Sequence, residues 1–96
     1  MLTEPLVDEI VLFELPSPAF ATRLMEYVGS ERFAWPASEQ WVPVVGVLLM
    51  PEELDLAQLL RSVQRWLALE GLAWIHFELD RRTYVLKPRE LALAAG

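Results

Sequence analysis

The 96-residue sequence predicts an α+β fold of two layers, in which two helices cover one face of an antiparallel sheet. Two segments have apolar residues at helical spacing, and short apolar segments typical of strands lie around them. Hydrophobic residues make up 54% of the chain, which excludes a disordered protein because such proteins cannot bury a core. No linker or repeat divides the sequence. We therefore expect one domain over residues 1–96, with residues 89–96 as a frayed tail.

The first strand is predicted over residues 6–15, and the first helix follows it. Residues 10–13 are all apolar, which is typical of a strand that lies near the centre of a sheet or is covered on both faces. Ser17 is expected to cap the helix, and Pro18 suits its first position because the N–H there has no partner inside the helix. Gly29 is expected to end the helix in a left-handed conformation.

Two more strands are predicted between the helices. Residues 31–35 form a short strand, residues 36–39 form a turn, and residues 41–50 form a long strand. Pro43 lies inside the long strand. Because proline cannot donate a backbone hydrogen bond, this position is expected at a sheet edge or a bulge.

The second helix has the strongest sequence signals. Asp55 is expected at its N-cap, and Gln58 three residues later completes a variant of the capping box. Gly71 is expected to end the helix, and Leu69 lies off the apolar face and should be partly exposed. The apolar face consists of Leu56, Leu59, Leu60, Val63, Trp66 and Leu67.

A C-terminal hairpin completes the predicted sheet. Its strands are residues 72–79 and residues 84–87, joined by a turn that contains no glycine. Side chains alternate between the two faces of a strand, so Trp74, His76 and Glu78 are expected to share one face.

The element order is βαββαβ with one additional C-terminal hairpin strand, and this is the ferredoxin-like pattern. If residues 31–35 form a loop, the order becomes βαβαββ. The layout is similar to that of small ligand-binding regulatory domains of the ACT type, and the likeness is one of element order. Those domains usually carry a glycine-containing turn after the first strand, whereas residues 14–18 here contain none. The resemblance implies a ligand held at an oligomer interface.

Composition and charge exclude several classes of function. The chain has no cysteine, which rules out disulfides, thiolate metal sites and cysteine nucleophiles. The net charge of −6 disfavours binding to nucleic acid. Residues 1–10 contain no basic residue, and the longest uncharged stretch has 12 residues, so neither a signal peptide nor a membrane span is predicted. We expect a cytoplasmic protein without a metal or cofactor, since the isolated glycines form no phosphate-binding loop.

Aromatic residues supply the first candidate sites. The first is the aromatic segment of Phe33, Trp35 and Trp41 around the predicted turn at residues 36–39, and tryptophan is common at protein interfaces because it is large, rigid and partly polar. The two tryptophan rings could instead close the edge of the core. Trp74 and His76 form a second site, in which His76 pairs with Glu78 as a general base or pH switch, or is simply a half-exposed histidine of the sheet.

Four arginines form the remaining candidate site. Arg61 and Arg65 lie one turn apart on the exposed face of the second helix, and Arg81 and Arg82 lie at the hairpin tip. They could bind an acidic ligand or be ordinary solvated surface. A helix followed by a basic hairpin is also typical of winged-helix DNA binders, but the acidic net charge and the strong first strand count against that class.

These observations favour a small non-catalytic interaction or regulatory module that self-associates or docks on another protein. The sequence contains no recognisable set of acid, base and nucleophile. A sheet with helices on one side leaves its other face open, and a second copy is the simplest cover. The alternative is a sensor domain that holds a small acid or nucleotide, and the third reading is a winged-helix-like DNA binder. The expected partners are a second copy or another protein, and neither nucleic acid nor a membrane is expected.

Overall fold

The computed structural model describes residues 9–37, 41–52 and 54–88. They form an α+β structure with a five-stranded antiparallel sheet and two helices, which confirms the predicted class. The strand order across the sheet is β2-β3-β1-β4-β5. The elements are β1 (Ile10–Glu14), α1 (Pro18–Gly29), β2 (Ala34–Pro36), β3 (Val44–Leu48), α2 (Asp55–Glu70), β4 (Ile75–Leu79) and β5 (Arg82–Leu86).

β1 is the central strand, with β3 on one side and β4 on the other. Phe13 lies opposite both Val45 and Phe77. Helix α1 connects β1 to β2, which are parallel to each other and have the antiparallel strand β3 between them. Helix α2 likewise connects the parallel strands β3 and β4, with the antiparallel strand β1 between them. The central position explains why β1 is apolar at successive residues.

The hydrophobic core lies between one face of the sheet and the two helices. On the sheet side, Val11, Phe13, Val45 and Val47 are all fully buried. The two helices contribute side chains to the same cluster, namely Ala21, Leu24, Val28, Leu59, Val63, Trp66 and Leu67. The apolar face predicted for the second helix is therefore the face that covers the sheet.

Helix α1 begins as predicted and ends differently. The Ser17 side chain accepts a hydrogen bond from the backbone N–H of Phe20 at 3.3 Å, and Pro18 occupies the first turn. The left-handed stop predicted at Gly29 is wrong, because Gly29 is helical and the C-cap, Ser30, is right-handed. The carbonyl of Val28 instead accepts backbone hydrogen bonds from the two residues after Ser30, which turns the chain without a positive φ.

Helix α2 starts one residue earlier than the capping signal predicts. Leu54 is the N-cap without a side-chain hydrogen bond, and Asp55 is the first helical residue, so the predicted Asp55 cap is wrong. The Asp55 carboxylate is used elsewhere, as an acceptor for Arg32 and for the backbone N–H of Met50. Gly71 ends the helix with a φ of 74°, as predicted.

Several strands are shorter or shifted relative to the sequence prediction. β2 is Ala34–Pro36 rather than residues 31–35, because the turn that ends α1 extends through Arg32. β3 begins only after Pro43, and β4 begins at Ile75. Residues 6–8, 38–39 and 89–96, for which we predicted strand, turn and tail, lie outside the described residues.

The turn between β4 and β5 is tighter than predicted. It consists of Asp80 and Arg81, with φ values of 57° and 67°. Two successive positive φ angles are typical of a type I′ hairpin turn, whose twist matches that of the strands. Within the residues that the structure describes, no helix is both long and apolar enough to cross a membrane.

Candidate interaction surface

The sheet face opposite the helices is formed by alternate strand residues and is called the open face below. Strand register places on it the positions that do not contribute to the core cluster. Its residues are Trp35 on β2, Val44, Gly46 and Leu48 on β3, Ile10, Leu12 and Glu14 on β1, His76 and Glu78 on β4, and Thr83 and Val85 on β5. It is partly apolar and partly charged, and the two parts meet where Leu12 on β1 lies opposite Glu78 on β4.

The aromatic corner of the open face is uncharged; we define it as Phe33, Trp35, Ile10, Leu12 and Leu48. A Cβ atom on Gly46 would lie 2.6 Å from Cε2 of Trp35, so the indole ring lies directly on the glycine. The centroids of the Phe33 and Trp35 rings are 5.4 Å apart, and the two ring planes are inclined at 35° to each other. Phe33 is 68% exposed and Ile10 is 40% exposed, so water reaches much of this apolar surface.

The charged and titratable side chains of the open face lie on β1 and β4 and are Glu14, His76 and Glu78. His76 Nδ1 lies 3.8 Å from Oε1 of Glu14, so the acid that the fold places beside His76 is Glu14 on the neighbouring strand. That separation is too long for a hydrogen bond. Trp74 is 52% exposed and meets His76 edge-on at 4.9 Å. Together with Val42, these side chains line a shallow depression of about 320 Å³.

Trp41 is the most exposed of the candidate residues, at 99%. Its φ is 74°, a conformation that costs a residue with a Cβ about 1 kcal/mol or more. It therefore does not close the edge of the core. Trp35, by contrast, is half-buried against Gly46 and does cover part of the sheet.

The four candidate arginines lie in two places, on helix α2 and at the β4–β5 hairpin. Arg61 and Arg65 are exposed on α2, and Arg81 and Arg82 are exposed at the β4–β5 hairpin. Arg65 also lines a polar depression of about 300 Å³, together with Arg32, which the sequence analysis did not single out.

Arg32 and Asp55 form a nearly buried ion pair. Nη1 of Arg32 lies 2.7 Å from Oδ2 of Asp55, with side-chain exposures of 12% and 6%. The hydrogen bond from Arg32 lowers the pKa of Asp55, the backbone N–H of Met50 lowers it further, and burial opposes both. The two residues are 23 positions apart, so no local pattern in the sequence links them.

Over residues 9–37, 41–52 and 54–88, no three histidine or acidic side chains lie close enough to hold a metal ion. Comparison with known protein families, with curated proteins and with solved structures finds nothing that matches this chain.

Proposed function

We propose that this protein is a non-catalytic interaction module that self-associates through the open face of its sheet. The observation that carries the proposal is the aromatic corner, where the exposed Phe33 ring lies against the indole of Trp35, and Ile10, which is also exposed, pairs with Leu48 on the strand between them. Exposed apolar patches of this kind are typical of protein interfaces.

A second copy is the occupant that the charges favour. In a two-fold symmetric contact the same patch lies on both sides, so every charge near the axis meets a like charge. Two copies of the aromatic corner can face each other because its five residues carry no charge. The open face also carries Glu14 and Glu78, and Glu78 lies directly across from Leu12 at the border of the corner. A copy placed over these two carboxylates would be repelled, so the contact is expected on the Phe33 and Trp35 side of the corner.

The size of the open face predicts a weak dimer. Five strands about 4.8 Å apart and about five residues long cover a flat area of roughly 400 Å². A stable complex commonly buries about 800 Å² on each partner. We therefore expect association that depends on protein concentration, rather than an obligate dimer.

We also propose the ferredoxin-like topology as the finer description of the fold, with β5 added at one edge. What supports it is that β3 lies between β1 and β2, and β1 lies between β3 and β4. Two split βαβ units that share one sheet have this arrangement.

The test replaces Phe33 by glutamate and measures mass across a concentration series by sedimentation. Phe33→Glu puts a carboxylate opposite its own copy, so the concentration dependence of the mass should disappear. Leu69→Glu is the matched control, because Leu69 is 77% exposed but lies on the helix layer. A wild-type protein that is monomeric up to about 1 mM, or a Leu69→Glu effect equal to that of Phe33→Glu, would contradict self-association through this face.

A further inference from the structure

A polar depression lies between the end of α1 and the middle of α2, in the helix layer and away from the open face. Its volume is about 300 Å³. Its lining includes Tyr27, Ser30, Arg32, Ser62 and Arg65. The lining residues therefore carry three hydroxyl groups, two guanidinium groups and, at Glu31, one carboxylate.

Arg32 is held in place before any ligand arrives. Its bond of 2.7 Å to Asp55 fixes the guanidinium, whose side chain is only 12% exposed. A guanidinium has five N–H donors, and this hydrogen bond uses one of them. A donor fixed in advance loses little conformational freedom when it binds an anion, so a ligand here would be recognised at a low entropic cost.

Arg65 supplies the second guanidinium group of the depression. Asp55 balances the charge of Arg32, and Glu31 also lines the depression, so these four charges sum to zero. An anion would therefore be held here by charge-assisted hydrogen bonds from the two guanidinium groups rather than by an excess of positive charge. Arg65 is exposed and can turn toward a bound group. Serine and tyrosine hydroxyls donate readily to the oxygens of carboxylates and phosphates.

We propose that this depression binds a small oxyanion, the carboxylate or phosphate group of a small molecule, between Arg65 and the fixed Arg32. The hydroxyls of Ser30 and Ser62 donate to its oxygens. The volume lies at the lower end of ligand pockets, which run from about 300 to 1,000 Å³, so the ligand is smaller than a nucleotide. The site is independent of the proposed self-association, because none of its residues lies on the open face.

The test is calorimetric titration of the whole chain with sodium phosphate and, separately, with sodium succinate at constant ionic strength. We expect one of the two to bind, and the tighter one identifies the class of ligand. Arg65→Gln should weaken binding about 10- to 100-fold, since a charged hydrogen-bonding partner is lost. Arg61→Gln is the matched control, because it removes the same charge from the same helix one turn away, outside the depression.

Three outcomes of the titrations test whether the depression binds the anion. Selective weakening by Arg65→Gln supports the site. Equal weakening by Arg61→Gln would overturn it, because general electrostatic attraction would then explain the binding. Absence of binding up to about 20 mM of either anion would also overturn it. The Phe33→Glu variant should bind the anion with unchanged affinity, so a failure of the dimer and a failure of the site are distinguishable.

Discussion

The two faces of the sheet are built from alternate residues of the same strands, yet water reaches them very differently. On β1, Val11 and Phe13 lie against the helices and are fully buried. Their neighbours Ile10 and Leu12 lie on the open face, where Ile10 is 40% exposed and Leu12 is half-buried. Apolar side chains occupy both faces, so the difference arises from what lies over each face.

This difference separates residues that fold the chain from residues that are available for contacts. The helix-covered face gains its stabilisation inside one molecule, since α1 and α2 remove it from water. The apolar surface of the aromatic corner is partly exposed to solvent. It can gain the same stabilisation only if a partner molecule covers it. Substitutions on the two faces should therefore differ in their effect on unfolding.

The largest difference is expected between Phe13→Ala and Leu12→Ala, at adjacent positions of the same strand. Phe13→Ala leaves a cavity in the core and should lower the free energy of unfolding by about 3–5 kcal/mol. Leu12→Ala removes a half-exposed side chain and should cost about 1 kcal/mol. Urea unfolding of both variants measures the two values. Equal losses would mean that the open face is as well covered as the core.

The next largest loss of stability is expected at Asp55. Its buried carboxylate lies at the start of α2 and accepts a hydrogen bond from the backbone N–H of Met50, just after β3. Asp55→Asn leaves Arg32 without its counter-charge and should cost about 3 kcal/mol at neutral pH. Glu70→Gln is the control, since the Arg23–Glu70 pair is far more exposed and should contribute less than about 1 kcal/mol.

The same pair predicts a pH dependence. The pKa of Asp55 in the folded protein is lowered from 3.8, chiefly by the hydrogen bond from Arg32. Its stabilising contribution is therefore complete above pH 3.8 and is lost as the pH falls through the lower, folded-state pKa. The difference in unfolding free energy between wild type and Asp55→Asn should shrink on acidification. A difference that stays constant from pH 7 to about pH 2 would contradict this assignment.

The smallest change in unfolding free energy is expected at Gly46, where the Trp35 ring covers part of the open face. A Cβ at Gly46 would lie 2.6 Å from Cε2 and 2.7 Å from Cζ2 of Trp35, so the ring must move. Gly46→Ala should cost about 1–2 kcal/mol in the wild type. In a Trp35→Ala background the clash is absent and the cost should nearly vanish. Unfolding of the four proteins in a double-mutant cycle measures this coupling. Additive losses would show that the ring does not lie on Gly46.

Local chemistry in the sequence was sufficient for the start of α1, the end of α2 and the periodicity of the strands. Ser17 followed by Pro18 is a helix start whatever surrounds it, and Gly71 ends α2 because a left-handed residue there has no Cβ to clash. The apolar face of α2 follows from its spacing alone. Among the candidate site residues, the sequence also predicted correctly that Arg61, Arg65, Arg81 and Arg82 lie at the surface.

Contacts between distant residues were decided only by the tertiary structure. Asp55 resembles an N-cap locally, but Arg32 and the Met50 N–H offer its carboxylate a charged and a backbone donor at once. His76 was expected beside Glu78, two residues along its own strand, yet strand pairing places Glu14 opposite it. Strand pairing and helix placement join residues far apart in the chain, and their energies depend on positions that no local pattern contains. For this reason the sequence by itself determined the elements and their faces, while the tertiary structure decided which face stays open and which charges meet.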